Sequence, residues 1–517
     1  MKKLINWLRW LDNNLLKILV TVFIFLIPLY PKLPIKMVNF TYIAIRLEDF
    51  YVAFLTLVFF FQLLRKKVQL NFYFFLLFSL YWFLIFASTL SGIYILKTIE
   101  IAHLGYLHAL RRIEYMIIFL VILSLIKTKK DFFYYLSLIF ITLFIVNLYG
   151  IGQKFLGWPA VQTMNPEYAK GYLLFLTPEA RVSSTFAGHY DLASYLVFLM
   201  PVVLSFYFLN KKLRYFFIFI ISLITLIFTA SRISYIAYIL TIFPFLIFLK
   251  KFKYFFIVLF LTIIFTFSSN NLTSRLKRTF QVKQIFVNEK TGQIIVPQKI
   301  TTKELPAGTF YLNLKDQSIS TKIVEKIAEQ EKITSNEILL KEKIIEEAKK
   351  EARQKGKILT KEEEEEIFAT IAAKLKPVST VVSDISFATR LQVEWPRALK
   401  AFRRNLILGS GPSSITEATD NDYLRSLGEV GLLGSLSFGL IFLAIIKKIF
   451  NAQKKSKNEE KIIFWGYLFG LLALLINATY IDVFEASKMA YNFWLISGLF
   501  IGLTLVYERS KKSVAKN

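Results

Sequence analysis

The 517-residue sequence predicts an all-α polytopic membrane protein of about twelve transmembrane helices. Its residues are 55% hydrophobic with a mean hydropathy of +0.50, and 52 Phe and 26 Tyr exceed what the cores of a soluble chain this long require. Apolar stretches recur at about 15–30, 50–64, 72–92, 113–126, 131–152, 190–209, 214–230, 232–249, 253–268, 427–446, 461–480 and 489–506. The charges between these stretches alternate in kind from one connection to the next. With the N-terminus inside, Arg65–Lys67, Lys127–Lys130, Lys211–Arg214, Lys250–Lys253, Lys447–Lys457 and the tail Arg509–Lys516 all lie in cytoplasmic connections, as the positive-inside rule requires.

The first segment follows Lys2, Lys3 and Arg9 and imitates a signal peptide, but no small-residue cleavage site follows it, so a retained first helix is expected. The +28 formal charge sits largely in these short basic connections, which argues against a nucleic-acid partner. Zero Cys excludes disulfides, thiolate metal sites and cysteine nucleophiles. The three His argue against a His-rich metal centre, and no cofactor is expected. Residues 91–112 mix Lys97, Glu100, His103, His108, Arg111 and Arg112 with Ile and Leu, a pattern that predicts an interfacial helix; His103 and His108, five apart, share no helical face and read as surface residues.

This orientation puts the polar chemistry outside. Arg181, His189 and Asp191 stand at the mouth of the sixth span, and three ionisable types within so short a stretch point to an anion site. Arg232 closes the turn Thr229-Ala-Ser-Arg between two apolar helices, where a guanidinium suits bidentate phosphate binding. The chain divides into 1–268 (spans one to nine), an outer loop module 269–425 with an accessory insert at about 283–378, and 426–517. Within the module, Gln281–Gln298 reads as a β-hairpin. Thr334-x-x-Glu337 and Thr360-x-x-Glu363 read as capping boxes opening two charged helices, the second stopped by Pro377. Most of this charge is a solvated face, so the insert is expected to be structural or to contact a partner protein.

The module ends in ILGSGPSSITEATDNDYLRSLGEVGLLG, Ile407 to Gly434, where Gly409 and Gly411 permit tight turns and Asp420, Asn421, Asp422 and Tyr423 bring hydrogen-bonding groups to the lip of a hydrophobic helix. Asp420 or Asn421 is positioned to cap that helix. Asp420, Asp422, Glu429 and His189 are the available bases for a proton transfer, and the sequence does not rank them.

Five motifs, taken in order, resemble the O-antigen ligase and O-antigen polymerase (Wzy-like) superfamily over roughly residues 15–506. They are Arg181 with FAGHYDLASYL, Thr229-Ala-Ser-Arg232, Arg390 with VEWPRAL, Gly409-x-Gly411, and Asp420-Asn-Asp-Tyr-Leu with Glu429-x-Gly-Leu-Leu-Gly434. The resemblance implies a GT-C-like helical fold and an inverting, metal-independent glycosyltransferase. It also implies an undecaprenyl-diphosphate-linked glycan donor and a glycan acceptor, with the reaction at the outer face of the bacterial plasma membrane. By it, Arg181, Arg232 and Arg390 match the arginines that hold the lipid diphosphate, and Asp420 stands where the ligases place a histidine base. That departure favours polymerisation of repeat units over ligation to a lipid A core or transfer to protein. A lipid or polysaccharide transporter and a membrane scaffold are the alternatives of other classes; the first predicts charges at mid-span, and the second leaves Arg181 and Arg232 unexplained.

Overall fold

The computed structural model describes residues 2–41, 43–163, 168–177, 180–269, 271–273, 280–288, 294–295, 311–312, 345, 349, 352, 360, 362–366, 375–383, 390–415, 419–456 and 458–514. Two compact units emerge: Met1–Leu176 with Arg181–Thr273 and Thr389–Asn517, and Thr177–Ala180 with Ser274–Ala388.

In the first unit, apolar runs fold as helices α1 (Lys2–Leu29), α2 (Leu47–Leu64), α3 (Phe72–Leu90), α4 (Ala102–Leu125), α5 (Lys129–Phe155), α6 (His189–Asn210), α7 (Leu213–Thr229), α8 (Arg232–Phe248) and α9 (Phe252–Phe267). After the second unit come α10 (Trp395–Arg404), α11 (Asp422–Lys455), α12 (Asn458–Asn477) and α13 (Ser487–Val514). Polar residues mark the starts: Asn71 accepts from the Phe74 N–H at 3.2 Å, and Thr128 with Asp131 forms a capping box. Every apolar segment expected from the sequence falls on one of these helices. Among the described residues seven helical segments, 5–29, 47–64, 72–95, 129–155, 189–210, 422–455 and 487–509, are long and apolar enough to cross a membrane, and α7–α9 are apolar but shorter. The protein is an integral membrane protein by this measure.

The central helices are α6 and α13, whose apolar windows are 94% and 89% buried, against 33% for α1 and α2. Glycine permits the closest approaches. A Cβ on Gly470 of α12 would sit 2.2 Å from the Phe198 carbonyl oxygen of α6, and one on Gly498 of α13 would sit 2.6 Å from that of Phe119 in α4. Around α13, Trp494 meets Phe78, Phe119, Phe438 and Phe493 in edge-on contacts.

Residues 91–112 are not a separate interfacial helix. A π-helical turn, Ser91–Ile95, ends α3, and α4 runs unbroken from Ala102 through the expected fourth span. Arg111 and Arg112 are buried because they have partners inside: Arg111 donates to the Ala44 carbonyl at 3.0 Å, and Arg112 pairs with Glu429 and Glu485. The amphipathic signature was that of a helix with an ionic interior face.

In the second unit, strands Phe280–Asn288 and Ile294–Ile295 pair antiparallel, with Val287 opposite Ile294. Leu375–Ser383 adds a third strand along the first, from Phe280↔Ser383 to Asn288↔Leu375. Pro377 thus lies in a strand and does not stop a helix. Among the described residues its strand is at the edge of the sheet, where proline is tolerated. Thr360 and Glu363 form the expected capping box, with N–H bonds of 3.0 and 3.4 Å. The box at Thr334 and Glu337 lies outside the described residues.

Candidate active site

The loop before α11 is shaped by backbone constraints. Gly409 and Gly411 take left-handed conformations (φ +71° and +92°), and the N–H groups of Ser410 and Gly411 donate to the Gly428 and Glu429 carbonyls. Opposite them Gly431 breaks α11 with φ +64° and ψ −165°; a Cβ there would lie 2.4 Å from Gly409 N and from the Ile407 carbonyl oxygen. Ser88 of α3 closes the same junction, donating to the Leu408 and Glu429 carbonyls at 2.5 and 2.7 Å. The two loop glycines therefore shape the scaffold of the site through their backbone.

Asn421, and not Asp420, caps α11: its side chain accepts from the Leu424 N–H at 3.0 Å and donates to the Thr479 carbonyl at 2.9 Å. Asp420 is released from that duty. It stands in a left-handed conformation (φ +50°) with its carboxylate ion-paired to Arg390. One carboxylate holds the chain there: Asp482, between α12 and α13, accepts from the N–H groups of Thr419, Asp420 and Asn421 at 3.0, 3.0 and 3.1 Å. Arg425 pairs with Asp482 at 3.1 Å. The connection is reciprocal, because Asp422 accepts from the N–H groups of Val483 and Phe484 at 2.6 and 3.3 Å. Tyr423 donates to the Leu475 carbonyl at 2.9 Å, tying α11 to α12. Glu429 is fully buried, paired with Arg112 and 3.9 Å from Arg425.

The expected arginines converge on two tyrosines. Gly188, in extended conformation, starts α6, and Arg181 on the preceding loop donates to His189 Nε2 at 2.6 Å. The Arg181 guanidinium lies 5.6 Å from the Tyr190 ring centre, and that of Arg390 lies 5.9 Å from the same ring and 4.1 Å from the Tyr480 ring. Arg232 is the first residue of α8, after a left-handed turn at Ala230 (φ +48°), and it acts electrostatically on Tyr480. The α8 start is fixed beside Tyr480 by Ser234 donating to Asn477 at 2.7 Å. Arg181, His189, Arg232, Arg390 and Asp420 are thus brought together around Tyr190 and Tyr480. Asn421, Asp422, Tyr423, Glu429, Gly409 and Gly411 build the frame under them.

Burial pushes the Asp420 carboxyl up to about 7; Arg390 opposes the shift, while Asp482 and Glu394 add to it. Glu394 is likewise raised, chiefly by burial. Burial also works to raise Glu485, but Arg112 and Arg425 prevail and hold it below the usual carboxylate range. Asp420 is the candidate base whose side chain stays partly open, 27% exposed against 1% for Glu429. Tyr190, Tyr480, Asp482 and Glu485 were missed from the sequence, although two acids in the short connection Ala478–Ala486 between apolar spans were a signal. Among the described residues no group of three or more His, Asp or Glu converges as a set of metal ligands.

A protein-family model described as O-Antigen ligase matches residues 217–439. The match, over less than half of the chain, supports the resemblance to the O-antigen ligase and polymerase family. A search of curated proteins finds no match. The matched region spans Arg232, Arg390 and the whole stretch from Gly409 to Glu429, while Arg181, His189 and Asp482 come from flanking segments of the same compact unit. The match supports an O-antigen ligase-type function, that of a glycosyltransferase-like enzyme.

Proposed function

We propose that the protein polymerises undecaprenyl-diphosphate-linked oligosaccharide repeat units at the outer face of the bacterial plasma membrane. The observation that carries this reading is Asp420, a partly open carboxylate ion-paired with Arg390 beside the Tyr190 and Tyr480 rings, which burial pushes up to about 7. In the reaction, the acceptor hydroxyl gives its proton to Asp420 and its oxygen forms a bond to the anomeric carbon of the donor. The bond from that carbon to the diphosphate oxygen breaks with inversion, and the electron pair leaves on the undecaprenyl diphosphate. Arg181, Arg232 and Arg390 neutralise that developing charge, a role fixed guanidinium groups fill without a metal. Tyr190 and Tyr480 offer ring faces to the sugar beside the arginines.

The twelve-span topology with both termini cytoplasmic belongs to this reading, since it alone puts all six basic connections inside and the arginines outside. The lip position of the charges disfavours a transporter, whose ionisable groups would line a mid-membrane path. The deciding experiment incubates purified protein in vesicles with lipid-linked repeat units alone. A ladder of lipid-linked chains of rising length is the expected product. A requirement for a lipid A core or a protein acceptor, with one transfer per acceptor, would make it a ligase or protein O-oligosaccharyltransferase instead.

A further inference from the structure

Helix α10 buries Ala398 and Ala401 against Ile415 and Leu424, and this small apolar seam fixes which face looks outward. The opposite face exposes Leu399, Lys400, Arg403 and Arg404. From Trp395 to Ile415 the sequence contains no acidic residue, while Arg397, Lys400, Arg403 and Arg404 supply four cations. The level of this face relative to a bilayer is set by its continuation. Leu406 and Ile407, both more than half exposed, accept at their carbonyls from the N–H groups of Leu432 and Leu433 at 2.9 and 3.1 Å. Those leucines begin an exposed apolar stripe on α11 that continues through Leu436, Leu440 and Leu443. A stripe of exposed leucine along an apolar spanning helix faces lipid tails, so Leu406 and Ile407 mark its upper edge and Lys400, Arg403 and Arg404 stand at headgroup height.

We infer that α10 is a docking surface for anionic phospholipid, its cations gathering phosphodiester headgroups of the leaflet around them while Leu399, Leu406 and Ile407 enter the acyl boundary. The positive-inside rule accounts for basic connections on the other side of the membrane but not for this cluster, which lies next to Arg390 and the candidate base. Anionic lipid held there anchors the helix that leads out of the Arg390 turn. The inference concerns lipid contact alone and does not depend on the reaction assigned above.

The test uses the full chain in lipid nanodiscs. The sequence has no Cys, so Leu399→Cys provides a single thiol for a fluorophore on the outward face. Quenching is measured with a headgroup spin label carried on phosphatidylglycerol or on phosphatidylcholine at the same mole fraction. The expected preference for the anionic quencher is roughly fivefold, the effect of a single cation at full strength near the surface. It should fall to parity in the Lys400→Gln/Arg403→Gln/Arg404→Gln variant, and also in unaltered α10 at about 1 M salt, where screening shortens to about 3 Å. All three positions are exposed, so the variant keeps the buried seam. Equal quenching by both lipids, or a preference that survives both neutralisation and salt, would overturn the inference and leave the basic face to a glycan or protein partner.

Discussion

Replacing Asp482 with Asn removes one negative charge from a carboxylate that has no direct part in the reaction, and the structure allows the consequence to be worked out. The carboxylate receives three backbone N–H groups and one guanidinium contact. An amide oxygen in place of Oδ2 still accepts from the Thr419 and Asp420 N–H groups, while the NH2 in place of Oδ1 faces the Asn421 N–H, from which it cannot accept. One charge-assisted bond is lost and Arg425 is left with less compensation, together about 2–4 kcal/mol of local stability. Asp420 then loses its fixed left-handed placement, and a displacement near 1 Å costs about 10²-fold in rate. The assay is initial transfer rate by the purified, correctly inserted variant, with limited proteolysis of the loop as the structural readout. A drop of about two orders of magnitude on the plateau is expected, with the pH midpoint moved downward because a negative charge that helps raise Asp420 has been removed. Wild-type rates together with wild-type protection of residues 419–421 would refute the argument, since they would mean that this carboxylate positions nothing.

Arg232→Lys and Arg181→Lys should each lose most activity although charge is kept, because an ammonium cannot reproduce a bidentate fork; near-normal glycan assembly by either inserted protein would point to simple headgroup contact. Gly431→Ala should lower thermal stability by roughly 1–3 kcal/mol, since the new methyl meets backbone atoms of residues 407 and 409 that cannot rotate away; an unchanged melting curve would contradict the close approach. Replacing residues 280–383 with a short flexible linker should leave insertion and some transfer intact. The antiparallel pair Phe280↔Ser383 brings these ends together, which makes them better cut points than 283 and 378. Complete loss of transfer in a stably inserted deletion would show that the insert shapes the acceptor site.

What the sequence made legible was local. Hydropathy located the helices, because each must satisfy its backbone internally whatever its neighbours are. The arginines were found because a guanidinium at a helix mouth is costly without a partner. The rest depended on contacts over long sequence separation. Asp482 holds residues about sixty positions away, and Arg112 pairs with Glu429 more than three hundred away, relations that no spacing rule expresses. Asp420 and Asn421 were equivalent as caps until the geometry gave the task to Asn421. Asp422 looked like a candidate base, yet its carboxylate is occupied by the Val483 and Phe484 N–H groups, so its loss should damage folding more than chemistry. Residues 91–112 misled because their charges face protein, where amphipathicity is indistinguishable from that of a surface helix.

The most direct test is the pH dependence of chain elongation by wild-type protein, Asp420→Asn and Asp420→His. A base must be unprotonated, and burial has raised Asp420, so activity should be lost as pH falls through about 7 and reach a plateau above it. Asp420→Asn should abolish elongation at every pH, and Asp420→His should retain a measurable fraction with its own midpoint. If Asp420→Asn elongates lipid-linked repeats as well as wild type with the same pH profile, Asp420 is not the base, and the search moves to His189.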